Sequence, residues 1–119
     1  MRQALFRLLT PAAIVLSLLA GPVTPAAASD NAAAGQKVAF DRKKGNCLAC
    51  HMMGDGALPG NIGPPIIAMK ARFPDRAKLR AQIWDPTIKN PNSLMPPFGK
   101  HGILSEKEID LIVDYVLTL

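Results

Sequence analysis

The stretch Gly45-Asn46-Cys47-Leu48-Ala49-Cys50-His51 decides how this chain is interpreted, because it holds both cysteines of the 119-residue sequence. The two cysteines stand three positions apart, and one of the two histidines follows directly. Random placement of these residues gives the arrangement about three times in 10,000. The stretch therefore indicates a chemical site.

The spacing of this site suits covalent attachment of a c-type haem. Two thiols one helical turn apart reach the two vinyl groups on one edge of a porphyrin, and the adjacent histidine meets the iron from one face. We therefore predict that Cys47 and Cys50 hold one haem c per chain and that His51 is an axial iron ligand. A covalent haem would also provide an apolar centre for a domain too small to be held by its side chains alone.

Three other interpretations use the same cysteines. A thioredoxin-like redox motif needs a βαβ context, which the sequence does not show, and it leaves His51 without a role. A zinc site of Cys47, Cys50, His51 and His101 has enough ligands, but it lacks zinc-finger spacing. A disulfide between Cys47 and Cys50 would be strained at this spacing.

The opposite face of the iron needs a second ligand or an open site. Five side chains are candidates: Met52, Met53, Met69, Met95 and His101. The first two adjoin His51 and cannot reach the far face, Met69 resembles core filling, and His101 stands between glycines that hold nothing rigid. We predict Met95, because two prolines stiffen the loop Met95-Pro96-Pro97-Phe98-Gly99. Methionine ligation favours ferrous iron, which suits an electron acceptor rather than a catalytic site.

The second ring nitrogen of His51 needs an acceptor that fixes the tautomer. Gly63-Pro64-Pro65 follows 12 to 14 residues later, and a proline carbonyl accepts a hydrogen bond without a competing N–H. Pro64 is the candidate acceptor. The alternative is that the two prolines only stiffen a turn.

Three helical patterns surround these motifs. Asn31 is expected to cap a first helix that runs to about Lys44, and Pro74 and Asp75 open a second that stops before Pro86. Ser105-Glu106-Lys107-Glu108 is a capping box that begins a third helix, whose apolar face holds Ile109, Ile112, Val113 and Val116. No segment alternates like a strand. The sequence predicts an all-α domain with long loops over 53–73 and 85–104.

Residues 1–28 are predicted to be a signal peptide. Arg2 and Arg7 form its positive end, residues 12–20 its apolar run, and Ala26-Ala27-Ala28 a small-residue cleavage site. The apolar run is too short to span a bilayer, which argues against a retained anchor. We expect cleavage near Ala28, a domain over residues 29–119, a periplasmic location and no membrane association afterwards.

The charge of the remaining chain is mild, with 12 basic and 9 acidic residues. Nucleic-acid binding needs charge clustered on one face, so we expect no nucleic-acid partner. Basic residues do gather at Arg42-Lys43-Lys44 and over residues 70–80. They form either a solvated helix face or a rim that docks an acidic partner.

The mature chain resembles a monohaem class I cytochrome c. The resemblance rests on a helix leading into the Cys-x-x-Cys-His motif, the Gly-Pro turn, the Met95 loop and a last helix bearing Tyr115. More narrowly, residues 40–51, Phe73-Pro74-Asp75-Arg76 and Met95-Pro96-Pro97-Phe98-Gly99 resemble the X subunit of the Sox thiosulfate-oxidising cytochrome complex. One departure is that Gly35 and Phe40 are five residues apart, whereas class I chains usually place the aromatic four after the glycine.

The resemblance implies a class I cytochrome c fold of three to four short helices around a covalent haem. It implies a non-catalytic electron-transfer subunit, paired with a larger cytochrome subunit (SoxA-like) that joins thiosulfate to a cysteine of a carrier protein. The small subunit would accept electrons from its partner's haem and pass them to a soluble cytochrome. Arg42, Lys43 and Lys44 would help it dock, and Trp84 would be either a haem wall or helix-end packing. The alternative function is a free-standing periplasmic electron shuttle.

Overall fold

The computed structural model describes residues 26–119, and four α-helices follow one another along this range. They are α1 (Ala26–Phe40), α2 (Met69–Arg72), α3 (Arg76–Trp84) and α4 (Glu106–Val116), with 3₁₀ turns at Cys47–Ala49 and Pro86–Ile88. No strand occurs in this part of the chain, where one isolated bridge joins Met53 to Ile66. The predicted all-α fold is confirmed. The signal peptide predicted over residues 1–28 lies almost wholly outside the described residues and stays a prediction.

Helix α1 differs from the prediction at both ends. Within the described residues it is already helical at Ala26, five residues before Asn31, and the Asn31 side chain donates to Asp114 instead of capping. It ends at Phe40 rather than near Lys44. There the Asp41 carboxylate accepts from the Lys43 amide at 2.8 Å, a local turn that competes with helix.

The predicted beginnings of α3 and α4 are confirmed. The Asp75 side chain accepts from the Ala77 amide and caps α3. At α4, the Ser105 hydroxyl accepts from the Glu108 amide, and the Glu108 carboxylate accepts from the Ser105 amide, so the capping box is complete. These ends were predictable because a cap is a contact between residues close in sequence.

Helix α2 was not predicted. It has four residues, and its N-cap is Ala68 in the left-handed conformation, with φ of 51° and no side-chain cap. Its position depends on a distant contact, since the Met69 amide donates to the Leu119 carbonyl at 2.8 Å. Sequence patterns that act locally cannot reveal such a helix.

Helices α1 and α4 pack across each other at Gly35. A Cβ on Gly35 would lie 2.5 Å from the carbonyl carbon of Leu111, so only glycine lets the two backbones approach this closely. One turn further on, the Phe40 ring meets the Tyr115 ring edge to face, with centroids 5.9 Å apart. The five-residue spacing of Gly35 and Phe40 is thus compatible with the helix contact expected of the fold.

The core lies where these helices meet the loops. The predicted apolar face of α4 is buried, and α3 adds Leu79 and Ile83. Arginines of α3 also pair with acids of α4: Arg76 reaches Asp114 at 2.7 Å and Arg80 reaches Asp110 at 2.8 Å. The basic stretch 70–80 is therefore partly committed to holding α3 against α4. Within the described range, no helix is long and apolar enough to cross a membrane.

Candidate haem site

The Cys-x-x-Cys-His stretch forms a single tight turn after α1. Asn46 enters it in the left-handed conformation, with φ of 45°. The Cys47 carbonyl then accepts from the amides of Cys50, at 3.2 Å, and His51, at 2.9 Å. Both thiols and the imidazole are consequently held on one helical turn, as the motif predicted.

The loop after His51 folds back over this turn. The Gly60 amide donates to the Leu48 carbonyl at 2.7 Å, and the Gly63 amide donates to the Cys50 carbonyl at 2.8 Å. This return places the Pro64 carbonyl 2.7 Å from Nδ1 of His51. Since a carbonyl only accepts, Nδ1 carries the proton and Nε2 keeps a lone pair for a metal. The prediction of Pro64 as the acceptor is confirmed.

Gly63 packs directly against the face of the His51 ring. A Cβ at this position would lie 2.5 Å from Nδ1 and 2.9 Å from Nε2, closer than real Cβ contacts come. The imidazole is therefore fixed by a hydrogen bond at one atom and by backbone contact along its ring.

A cavity of about 560 Å³ opens beside the turn. Cys47, Cys50 and His51 line one side, and Met95 lines it from the loop after α3. Most of the remaining wall is apolar, contributed by Met53, Ile62, Pro64, Ile66, Met69, Phe73, Leu79, Ile83, Leu94, Pro96, Phe98, Leu104, Ile112 and Val116. All four predicted site residues thus face one space, of a size that suits an organic cofactor.

The competing iron ligands occupy different surroundings. Met69 is 2% exposed and belongs to the buried core, as predicted, although its side chain also borders the cavity. Met53 is buried and Met52 is exposed. His101 is exposed and does not line the cavity, so it is separated from the other three members of the zinc interpretation.

Comparison with known proteins decides the family. Residues 30–116 match the family model described as cytochrome c oxidase, cbb3-type, subunit III. The chain belongs to this family of c-type cytochromes. Such proteins hold haem c covalently and transfer electrons through it.

One curated relative matches this cytochrome over a stretch much longer than the haem-site motifs. It is an uncharacterised lipoprotein of Aquifex aeolicus, 41% identical over 76 residues. The match covers 62% of the present chain and 36% of the relative. The chain therefore spans little more than a third of the length of that protein.

The residues of the cytochrome fit the cofactor that its family implies. The cavity wall is predominantly apolar, two thiols stand side by side on it, and the proton on Nδ1 of His51 leaves Nε2 for iron. A thioether sulfur is available on the second loop at Met95. When bound, haem supplies one-electron redox chemistry, and the protein provides its attachment, its ligands and a dry setting.

The thiol chemistry argues against a thiol-disulfide enzyme. Burial raises the pKa of the Cys47 thiol to about 11. Nucleophilic cysteines of redox enzymes instead have lowered pKa values, because the thiolate is the attacking species. No group of three or more His, Cys, Asp or Glu side chains that could together hold a metal ion occurs in residues 26–119.

Two other predicted roles are resolved by contacts. Trp84 does not line the cavity; its ring packs on Gly99 and lies 5.3 Å from the Arg80 guanidinium, so helix-end packing is the better description. Lys44 forms an ion pair with Glu108 of α4. Of the three cations before the motif, Arg42 and Lys43 have no ion pair among the described residues.

Arg72 is a site residue that sequence reasoning missed. It lines the cavity, and its guanidinium donates to the carbonyls of Pro65, at 2.8 Å, and Ile67, at 3.4 Å. It thereby holds the loop that carries Pro64. Only its place in a basic stretch was visible in the sequence, and that stretch gave no sign of a contact with the loop.

Proposed function

We propose that this cytochrome is the single-haem, small electron-transfer subunit of a heterodimeric cytochrome in periplasmic thiosulfate oxidation. It accepts electrons from the haem of a larger partner subunit and passes them to a soluble cytochrome. Its own site performs no substrate chemistry, since an iron with two protein ligands has no open position.

The observation that carries the electron-transfer part of this proposal is the convergence of two loops on one cavity. The return loop fixes His51 through Pro64, and the loop after α3 presents Met95 to the same space. We assign these two side chains as the axial ligands. Cys47 and Cys50 would hold the cofactor through two thioether bonds, whose formation from a thiol and a vinyl group consumes no oxidant.

The thiosulfate-oxidising part of the proposal rests on the sequence within and around the motifs. Residues 40–51, 73–76 and 95–99 resemble the X subunit of the Sox complex. A docking surface is available beside the site, where Arg42 and Lys43 are exposed only a few residues before Asn46 at the cavity wall. Exposed cations of this kind steer association with an acidic partner surface.

The ligand assignment is tested on the oxidised protein. Methionine bound to ferric haem gives a weak far-red sulfur-to-iron absorption band. We expect Met95→Ala to abolish this band and Met69→Ala to preserve it. Loss of the band in the Met69 variant with retention in the Met95 variant would reverse the assignment.

The partner assignment is tested by co-purification from the native host. A second, larger cytochrome should accompany the chain, and the pair should separate more readily as salt is raised. Replacing Arg42 and Lys43 by Glu should weaken this association, whereas Lys78→Glu, at an exposed cation of α3, should leave it near normal. Purification of the chain alone would exclude the subunit function while leaving the haem site intact.

A second candidate function is a free-standing shuttle that delivers electrons to a respiratory complex. Its respiratory part is favoured by the family description, which names a subunit of a cytochrome c oxidase. The two functions differ in assembly rather than in iron ligands, so the co-purification experiment separates them.

A further inference from the structure

A buried carboxylate closes the loop that carries Met95. Asp85 follows α3, and its side chain is only 6% exposed. Its Oδ1 accepts from the amide of Thr87 at 3.0 Å, and also from the Thr87 hydroxyl. Its Oδ2 lies 2.8 Å from Nζ of Lys100. One side chain therefore contacts the start of the loop at Thr87 and its end at Lys100.

The neighbouring backbone strengthens the closure at the end of the loop. The Trp84 carbonyl accepts from the amides of Gly99, at 3.1 Å, and Lys100, at 3.2 Å. Gly99 also lies flat against the Trp84 ring, where a Cβ would come within 2.8 Å of Cζ3. The end of α3 thus holds both ends of the chain segment on which Met95 sits.

Between these ends, the loop is weakly anchored by burial. Ile88, which does not line the cavity, is 77% exposed, and in the segment 86–98 only Pro86 and Phe98, next to the closure, are buried by other parts of the chain. Because little apolar surface of this segment packs on other parts of the chain, the contacts at its two ends contribute much of what fixes its position.

We propose that Asp85 is a positioning residue that, through Lys100, holds the Met95 loop in the conformation that binds iron. The proposal rests on the proposed function, because it takes Met95 as the ligand. Its physical basis is the burial of Asp85: without Lys100, a buried carboxylate loses its compensating charge and is better solvated if the loop opens. The exposed pairs between α3 and α4 have no such dependence, since water solvates their partners directly.

The experiment measures how easily imidazole displaces Met95 from the oxidised holoprotein. Imidazole binds iron only when the loop is open, so its apparent dissociation constant falls in proportion as the open fraction rises. The far-red band reports the displacement. We expect Lys100→Gln, which leaves the buried carboxylate without its cation, to lower the imidazole concentration at half-loss of the band about tenfold, the low end of the effect of outer-shell changes at metal sites. Asp85→Asn removes the buried charge together with the ion pair, so it should give a smaller decrease.

Two variants provide controls. Lys100→Arg can still pair with Asp85 and should bind imidazole like the wild type. Arg76→Gln removes an α3–α4 ion pair far along the helix from the loop, so it should lower the thermal midpoint without changing the imidazole titration. Asp85→Asn keeps an acceptor for Thr87. Because Lys100 is half exposed, Lys100→Gln should fold.

The outcomes separate the two proposals. If the wild type shows the band and Lys100→Gln titrates like the wild type, the positioning role is wrong and the ligand assignment stands. If Arg76→Gln shifts the titration as much as Lys100→Gln, the effect is general destabilisation and the positioning role is again wrong. If the wild type shows no band, Met95 is not the ligand and both proposals are overturned.

Discussion

At the scale of single residues, the orientation and tautomer of His51 depend on neighbouring atoms that are not themselves metal ligands. The Pro64 carbonyl fixes the proton on Nδ1, and Gly63 leaves room for the ring. Arg72 in turn holds the Pro65 carbonyl. Such outer contacts orient a ligand and tune its basicity, so changes in them should alter the metal site without removing a ligand.

Gly63→Ala should disturb the site because the new methyl group would overlap the His51 ring. We expect the ring to tilt or the Pro64 bond to lengthen, with a changed reduction potential and a lower yield of holoprotein. The potential is measured by redox titration. Gly102→Ala is the matched control, since φ there is +64° but no atom lies within 4 Å of a new Cβ. It should cost about 1–2 kcal/mol in stability and leave the potential unchanged.

At the scale of elements, helix ends were predictable where the capping contact is local and unpredictable where it is not. Asp75 and Ser105 cap their own helices within three residues, and both were identified from sequence. Asn31 is an equally good cap by type, but its side chain is used by Asp114 of α4. The helix already includes the residues before Asn31, and a single sequence does not show the contact with Asp114.

The contact between α1 and α4 predicts that alanine is less stable than glycine at position 35, the opposite of the usual preference inside a helix. Alanine normally stabilises a helix interior over glycine by about 1 kcal/mol. At Gly35 the added methyl group would press on the Leu111 backbone, so Gly35→Ala should instead destabilise the protein by about 1–3 kcal/mol. Urea unfolding of the holoprotein measures this. At the exposed Ala33 of the same helix, Ala33→Gly should show the ordinary preference for alanine.

The start of α4 predicts an acid dependence of stability. The Lys44 ammonium, and then the hydrogen bonds from Ser105, lower the pKa of Glu108 from 4.5 to about 2. A lowered pKa in the folded state gives stability that is complete above pH 4.5 and is lost as the pH falls toward 2. Glu108→Gln should therefore lower the thermal midpoint at neutral pH and flatten its fall in acid.

The control for this acid dependence is Glu106→Gln on the same helix. Glu106 is 75% exposed and its ion pair among residues 26–119 is with Arg80, so its removal should leave the acid-induced fall nearly as in the wild type. An equal flattening in both variants would mean that net charge, rather than the Glu108 contacts, produces the pH dependence.

At the scale of the whole molecule, the sequence pointed to the candidate haem-binding residues but not to the residues that support their loops. Cys47, Cys50 and His51 form a contiguous motif, and Met95 stands in a proline-stiffened loop, so all four could be proposed as site residues without tertiary information, and the structure places them around one cavity. Asp85 and Arg72 could not, because their roles come from burial and from partners on other segments. The cavity itself exists only once the loops around it have folded.

That cavity leads to the prediction for the chain without haem. Without haem, the apolar side chains that line this cavity of about 560 Å³ lose the group that would cover them, and a domain of this size has little stability to spare. The double variant Cys47→Ala, Cys50→Ala should therefore be largely apo and poorly folded, with a broad thermal transition by circular dichroism. Met95→Ala keeps both attachment cysteines and should still unfold cooperatively. A double variant with a cooperative transition as high as that of the holoprotein would show that the side chains alone hold this fold.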